Sequence, residues 1–246
     1  MAGEESAFAL TGYCYLATAL MHLIEIYKSV QGESSFTGLP CIFVRLAGCN
    51  LRCTWCDSEY TFTGGNRMSL DEVAAEVKNL SPVKLVEITG GEPMLQEREL
   101  LSLVDRLLAQ DYTLLLETSG ERPLENVPKE VHKIVDVKCP QSGEGGSFHL
   151  PNLDALTMRD EVKFVIAGRA DYEFARDFTL EHFLEKKVHS VLFSPAFRKD
   201  AIPQRTADNC LLDPRQLVEW ILEDALNVRL SLQIHKFIWE PQKKGV

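Results

Sequence analysis

The sequence predicts an α/β fold, a complete or partial (β/α) barrel built on a parallel sheet. Three observations predict it. Strand-like runs recur along the chain, helical patterns lie between many of them, and several of the runs are apolar almost throughout. Strands covered on both faces need such continuous apolar runs, whereas a sheet with one wet face would alternate. Strands alternating with helices pair in parallel, because the helix is the crossover that brings the chain back to the same end of the sheet.

The elements follow in order. Residues 1–20 start acidic, with Glu4 and Glu5, and turn apolar around Tyr13–Leu20. A secretory signal would begin basic and a transit peptide would be arginine-rich, so neither fits. The segment reads either as an extension upstream of a start at Met21 or as an ordinary arm, with residues 21–246 as the barrel domain. Strands are expected over His22–Val30, Cys41–Leu46, Leu85–Thr89, Thr113–Glu117, Lys133–Val137, Val162–Ile166, Val188–Phe193 and Val228–Ile234. Ser69-Leu-Asp-Glu72 is a capping box opening a helix that buries Leu70, Val73, Ala74, Val77 and Leu80. Glu97–Ala109 repeats the helical period, and Tyr172–Lys187 reads as a further helix. Asp213-Pro214 is a cap followed by proline in the first turn, and points Leu217, Val218, Ile221 and Leu222 inward. The glycine-bearing stretch Cys139–Leu150 reads as a mobile loop.

The chain of 246 residues has 26 basic and 36 acidic side chains, a net charge of −10. That balance argues against broad neutralisation of a nucleic-acid backbone and leaves action on a small molecule open. No run of about 20 apolar residues predicts a membrane span. The cysteines number seven, an odd count without an export signal, which points to a reducing cytoplasmic setting rather than a disulfide scaffold. Cys49, Cys53 and Cys56 crowd into one segment after the strand Cys41–Leu46, at the end where such folds place their chemistry. Thiolates this close repel one another unless a cation holds them. Two metal centres fit: a structural zinc with Cys139 as fourth ligand, or a [4Fe–4S] cluster held by three thiolates, with one iron open to substrate or cofactor.

The run Cys49-Asn-Leu-Arg-Cys53-Thr-Trp55-Cys56 resembles the Cys-x3-Cys-x2-Cys signature of the radical S-adenosylmethionine (SAM) superfamily, including the aromatic residue before the last cysteine. Thr89-Gly90-Gly91-Glu92-Pro93, after the next strand, resembles the superfamily's GGEP motif. Flanking segments narrow the likeness: Val30-Gln31-Gly32-Glu33, Phe43-Val-Arg45-Leu-Ala-Gly48, Asp57-Ser58 and Gln233-Ile-His235-Lys236 are similar to those of the 7-carboxy-7-deazaguanine synthases of the queuosine pathway. The resemblance implies a partial barrel of about six parallel strands. It also implies a lyase that converts 6-carboxy-5,6,7,8-tetrahydropterin to 7-carboxy-7-deazaguanine with release of ammonia, through an adenosyl radical that abstracts hydrogen and a ring contraction. Its cofactors would be a [4Fe–4S] cluster, SAM and Mg2+. It would be a homodimer served by a reductant protein such as flavodoxin or ferredoxin.

By position, the resemblance assigns the cluster to Cys49, Cys53 and Cys56 and magnesium to Ser58, where the family usually has threonine. SAM contacts fall to Gly90, Gly91, Glu92, Ser119, Asp136, Val137, Lys138, Ser194, Pro195, Ala196 and Phe197. Substrate contacts fall to Val30, Gln31, Gly32, Arg45, Thr89, Gln233 and His235, with Lys236 beside them. The two glycines would let the backbone approach the ligand, and Glu92 would accept from the methionine ammonium. Gln31 would meet a pterin edge with donor and acceptor, and Arg45 would clasp the substrate carboxylate. Several of these residues have plainer readings: Glu92 as a helix cap, Arg45 in an internal salt bridge, Ser119 in a turn, His235 packed in the core. Some relatives end near Pro241 and use that terminal carboxylate on the substrate; here the chain continues to Val246. A glycyl-radical activase or a non-catalytic zinc protein would be the competing functions.

Overall fold

The computed structural model describes residues 20–200, 203–204, 206–240 and 243–245. The proposed extension, apart from Leu20, lies outside the described residues, as do Pro241 and Gln242. Among the described residues, nine strands form one sheet in the order β3-β1-β2-β4-β5-β6-β7-β8-β9. Strands β2 (Pro40–Leu46), β4 (Leu85–Gly90), β5 (Thr113–Thr118), β6 (His132–Asp136), β7 (Glu161–Ile166) and β8 (Ser190–Pro195) run parallel, and the two-residue β9 (Arg229–Leu230) extends the series. The sheet keeps two edges, so the barrel is partial, as expected.

The first strand stands outside this parallel series. Strand β1 (Leu20–Val30) pairs antiparallel with both β2 and β3 (Asn66–Ser69). The turn over residues 31–39 is too short for a crossover helix, so the chain can only double back. Helix α1 (Leu70–Asn79) has the expected capping box, with Ser69 Oγ accepting from Glu72 N and Glu72 reaching back to Ser69 N. Helix α2 (Glu97–Leu108) buries Leu100, Leu103, Val104 and Leu107.

Four expectations are corrected. The helix over Tyr172–Lys187 divides into α4 (Arg169–Glu181) and α5 (Leu184–Lys187), because Phe183 takes a left-handed conformation (φ 52°). In α6 (Pro214–Glu223), capped by Asp213, Leu222 is 72% exposed; Trp220 packs against Tyr172 instead. The last strand stops at Leu230, since the chain then leaves β8 to bond the first turn: Ile234 N donates to Gly32 O (3.0 Å). The segment Cys139–Leu150 is pinned rather than open. Ser142 Oγ donates to Cys139 O (2.6 Å), Asp171 Oδ1 accepts from Gln141 N (2.9 Å), and the short helix α3 (Asn152–Ala155) follows.

Alternation along the parallel strands divides their side chains between two environments. Ile42, Val44, Val86, Ile88, Leu114, Leu116, Val162 and Phe164 face outward and pack with the helices in the main core. Cys41, Phe43, Leu85, Leu115 and Ile134 face inward and form a small second core at the barrel's lower end. Further along the same inward rows come Arg45, Glu87, Thr89, Glu117, Asp136 and Lys163. The inner face is thus apolar at the amino ends of the strands and charged at the carboxyl ends.

Candidate active site

A cavity of about 240 Å³ opens at the carboxyl ends of the strands. Strand β2 delivers the cysteine loop to its rim through Gly48, whose φ of +94° lets the chain turn away from the sheet. The loop is tied down on two sides: Gly48 N donates to Thr61 O (2.7 Å) and Thr54 N to Ser142 O (2.8 Å). Cys49, Cys53 and Cys56 are half-buried, reduced, and all line the cavity. Burial pushes their thiols up, Cys56 to about 11.

The cavity also holds a network of charges. Lys163, buried on β7, donates to Glu33 Oε2 (2.8 Å) and to Glu117 Oε1, and lies 3.7 Å from Asp136 Oδ2. Burial opposes ionisation of Glu33, but the Lys163 ammonium wins and holds its carboxyl down at about 2. Lys138 donates to Asp136 Oδ2 (2.8 Å). Gln233 Nε2 donates to Glu33 Oε1 (2.8 Å), and Lys236 donates to Gln233 Oε1 (2.9 Å) and Asp57 Oδ2 (2.5 Å). The C-terminal segment therefore ties the substrate-side turn to the cysteine loop.

A model of the radical SAM superfamily matches residues 44–199. The 7-carboxy-7-deazaguanine synthase of Koribacter versatilis is 68% identical over 92% of this chain and 100% of its own length. That of Chlorobaculum tepidum is 40% identical over 93% of this chain and 98% of its own. The chain belongs to the 7-carboxy-7-deazaguanine synthase family. Among solved structures, QueE from Escherichia coli superposes with a TM-score of 0.67 at 25% identity, covering 87% of this chain and 94% of that one.

The residues fit the cluster that the radical SAM family implies. Cys139, the fourth ligand a zinc site would need, is 1% exposed within the main core and does not line the cavity. Among the described residues, no three His, Cys, Asp or Glu side chains converge as ligands of one ion would. The three thiols instead all line the cavity, on one loop. For SAM, Ser119, Gly91, Asp136, Lys138 and Phe197 line the cavity. Among the described residues the buried Asp136 Oδ1 has no hydrogen-bond partner; buried polar atoms are normally satisfied, so a ligand with donors suits this wall.

Other assigned residues sit differently from expectation. Val137, Ser194, Pro195 and Ala196 are buried but outside the cavity lining. Glu92 is fully buried and also outside it; its carboxylate accepts from Met94 N (2.9 Å), Thr118 Oγ1 (2.7 Å), and Ser119 N and Oγ (2.8 and 2.6 Å). It caps the turn after β4 and braces the end of β5, which is closer to the plainer reading. Glu92→Ala is expected to cost about 3 kcal/mol or more in urea unfolding of the metal-free protein, because several buried donors lose a charged acceptor. Weakened SAM binding at unchanged stability would contradict this. The glycines of the motif serve loop packing: a Cβ on Gly91 would meet Cys49 Cβ at 2.6 Å, and one on Gly90 would meet Leu46 O at 2.5 Å.

On the substrate side, Val30, Gln31, Gly32, Arg45, Thr89, Gln233 and His235 all line the cavity. Thr89 Oγ1 donates to Glu117 Oε2 (3.3 Å). Gly32 packs against the His235 ring with no room for a Cβ, and burial lowers the His235 pKa. Gln31 does not offer a free amide: Nε2 donates to Glu87 Oε2 (3.0 Å), and Oε1 accepts from Glu33 N and Ser34 N. Arg45 has an internal ion pair, Nε to Glu25 Oε1 (2.9 Å), and Nη2 donates to Tyr27 OH (2.8 Å). These bonds aim the guanidinium while leaving Nη1 uncommitted among the described residues. Sequence reasoning missed Glu87, Glu117 and Lys163. Their signal was present: each is a charged residue interrupting an apolar strand, two residues from its inward neighbour.

Proposed function

We infer that this chain is a radical SAM lyase, a 7-carboxy-7-deazaguanine synthase that converts 6-carboxy-5,6,7,8-tetrahydropterin to 7-carboxy-7-deazaguanine with release of ammonia. The observation that supports it from within the molecule is one cavity lined by three half-buried thiols together with half-buried Arg45, Glu33 and Glu117 and the buried Lys163. Cys49, Cys53 and Cys56 would hold a [4Fe–4S] cluster which, with SAM bound, supplies the one-electron reduction and adenosyl radical chemistry.

The chain's own residues bind and aim. Ser119, Asp136 and Lys138 offer polar contacts on the wall next to the thiols, where SAM would lie. Arg45 offers its free Nη1 donors to the substrate carboxylate, with Tyr27 and Glu25 fixing the plane of the fork. Glu33 and Glu117 present carboxylate acceptors that suit the N–H-rich edge of a pterin, and Lys163 holds both in place. Trp55, Leu51 and Phe62 wall the thiol end and limit access of water. Magnesium would use Ser58, whose hydroxyl donates to Asp57 Oδ1 (2.9 Å). Lys236 already pairs with Asp57, so the ion would draw most of its oxygens from water and substrate. Family resemblance supports a homodimer, a flavodoxin or ferredoxin as reductant, and a cytoplasmic setting. No described helix is long and apolar enough to cross a membrane.

The test is an anaerobic assay with reductant, SAM and the carboxytetrahydropterin, read by the ultraviolet spectrum of the product. Absence of turnover by protein carrying about four irons per chain would reject the assignment. Arg45→Ala is expected to raise KM for the pterin by about 100-fold, the loss of two charge-assisted hydrogen bonds, while SAM affinity changes less than about twofold. Equal losses for both ligands would assign Arg45 to the fold.

A further inference from the structure

Glu87 stands at the floor of the cavity, 2% exposed, on the inward row of β4 between Leu85 and Thr89. Its register partners are Phe43 on β2 and Leu115 on β5, both in the apolar inner core. The groups facing it are Tyr27 from β1, Gln31 and Glu33 from the first turn, Cys41 from β2, Glu117 from β5 and Lys163 from β7. Among the described residues its one hydrogen bond to a side chain is from the Gln31 amide. The nearby ammonium of Lys163 is already shared by Glu33 and Glu117.

We propose that Glu87 is a positioning residue for the substrate end of the cavity, acting through Gln31 on the turn that carries Glu33. The chain of contacts is continuous. Glu87 Oε2 holds Gln31 Nε2, Gln31 Oε1 holds the backbone N–H groups of Glu33 and Ser34, and Glu33 then meets Lys163 and Gln233. A carboxyl with no cation of its own, walled by apolar side chains and facing other carboxylates, keeps its proton. Burial first and Glu117 second push its pKa up to about 8. In that form it holds Gln31 without adding a negative charge that would compete with Glu33 and Glu117 for Lys163. As pH rises past about 8, that competing charge forms and loosens the turn. The role assigned to the turn rests on the pterin reading above.

The experiment compares wild type, Glu87→Gln and Glu87→Ala in the cluster-loaded enzyme. At pH 7, Glu87→Gln is expected to keep KM for the carboxytetrahydropterin within about twofold, whereas Glu87→Ala raises it about tenfold or more with a smaller change in kcat. Wild-type kcat/KM is expected to fall above pH about 8, and the Glu87→Gln profile to stay level for about one further pH unit. An alkaline limb shared by wild type and Glu87→Gln, or a wild-type KM in Glu87→Ala, would overturn the proposal. If wild type shows no turnover at any pH, the functional reading fails, and stability decides Glu87 separately. A proton held more tightly folded than unfolded makes wild type lose stability between about pH 5 and about pH 8, so the advantage of Glu87→Gln should grow over that range and then level. A pH-independent difference would overturn the proposal on this arm too.

Discussion

Replacing Cys53 with alanine is expected to strip the protein of iron and abolish turnover while leaving the barrel folded. Cys53 is half-buried on a rim loop, outside both hydrophobic cores. The loop's anchors are backbone bonds of its neighbours, Thr54 N to Ser142 O and Gly48 N to Thr61 O. Removing the thiol therefore costs little packing. It removes one of the three thiolates available to the cluster, and the two that remain cannot substitute for it. Iron analysis after anaerobic reconstitution should fall from about four per chain to near zero, with far-ultraviolet circular dichroism unchanged. An iron-loaded and active Cys53→Ala would end the cluster assignment.

The second large effect is expected from Lys163→Met. This side chain neutralises Glu33 and Glu117 inside the barrel, and breaking a buried pair by deleting one partner costs about 3–5 kcal/mol. The pH dependence tests the cause. In wild type the carboxyl of Glu33 is held at about 2 against an ordinary 4.5. Its stabilisation is therefore complete above pH about 4.5 and lost as pH falls toward 2. Without the ammonium, burial acts on Glu33 against only the weaker attractions of His235 and Lys236 and raises its pKa, so the variant should gain more stability than wild type on acidification from about pH 7 to about pH 5. Urea unfolding at the two pH values measures this. A penalty that does not depend on pH would assign Lys163 to packing through its methylene stem.

Much of the fold was legible because its signals are local. Continuous apolar strands, the Ser69–Glu72 capping box and the Asp213-Pro214 cap depend on neighbours a few residues apart, and each element formed. What failed needed distant partners. The end of the last strand at Leu230 is set by Gly32, which accepts from Ile234 N across nearly the whole chain. The antiparallel pairing of β1 follows from turn length, which was visible, but was outweighed by the pattern of the rest. Leu222 follows the helical period yet faces outward, because Tyr172 receives Trp220 instead.

At the active site the division is similar. The sequence by itself determined the chemistry at one end of the cavity: the spacing of Cys49, Cys53 and Cys56, and their place after a strand, follow from chain order alone. Only the tertiary structure decided the other end. Which carboxylates share Lys163, that Glu92 braces two strand ends, and that Gln31 and Arg45 are held by Glu87 and Glu25 all depend on residues from separate strands meeting inside the barrel. Thiol ligands on one loop need only a short stretch of chain to be close, whereas charges inside a barrel become neighbours only when the sheet curls and its inward rows converge.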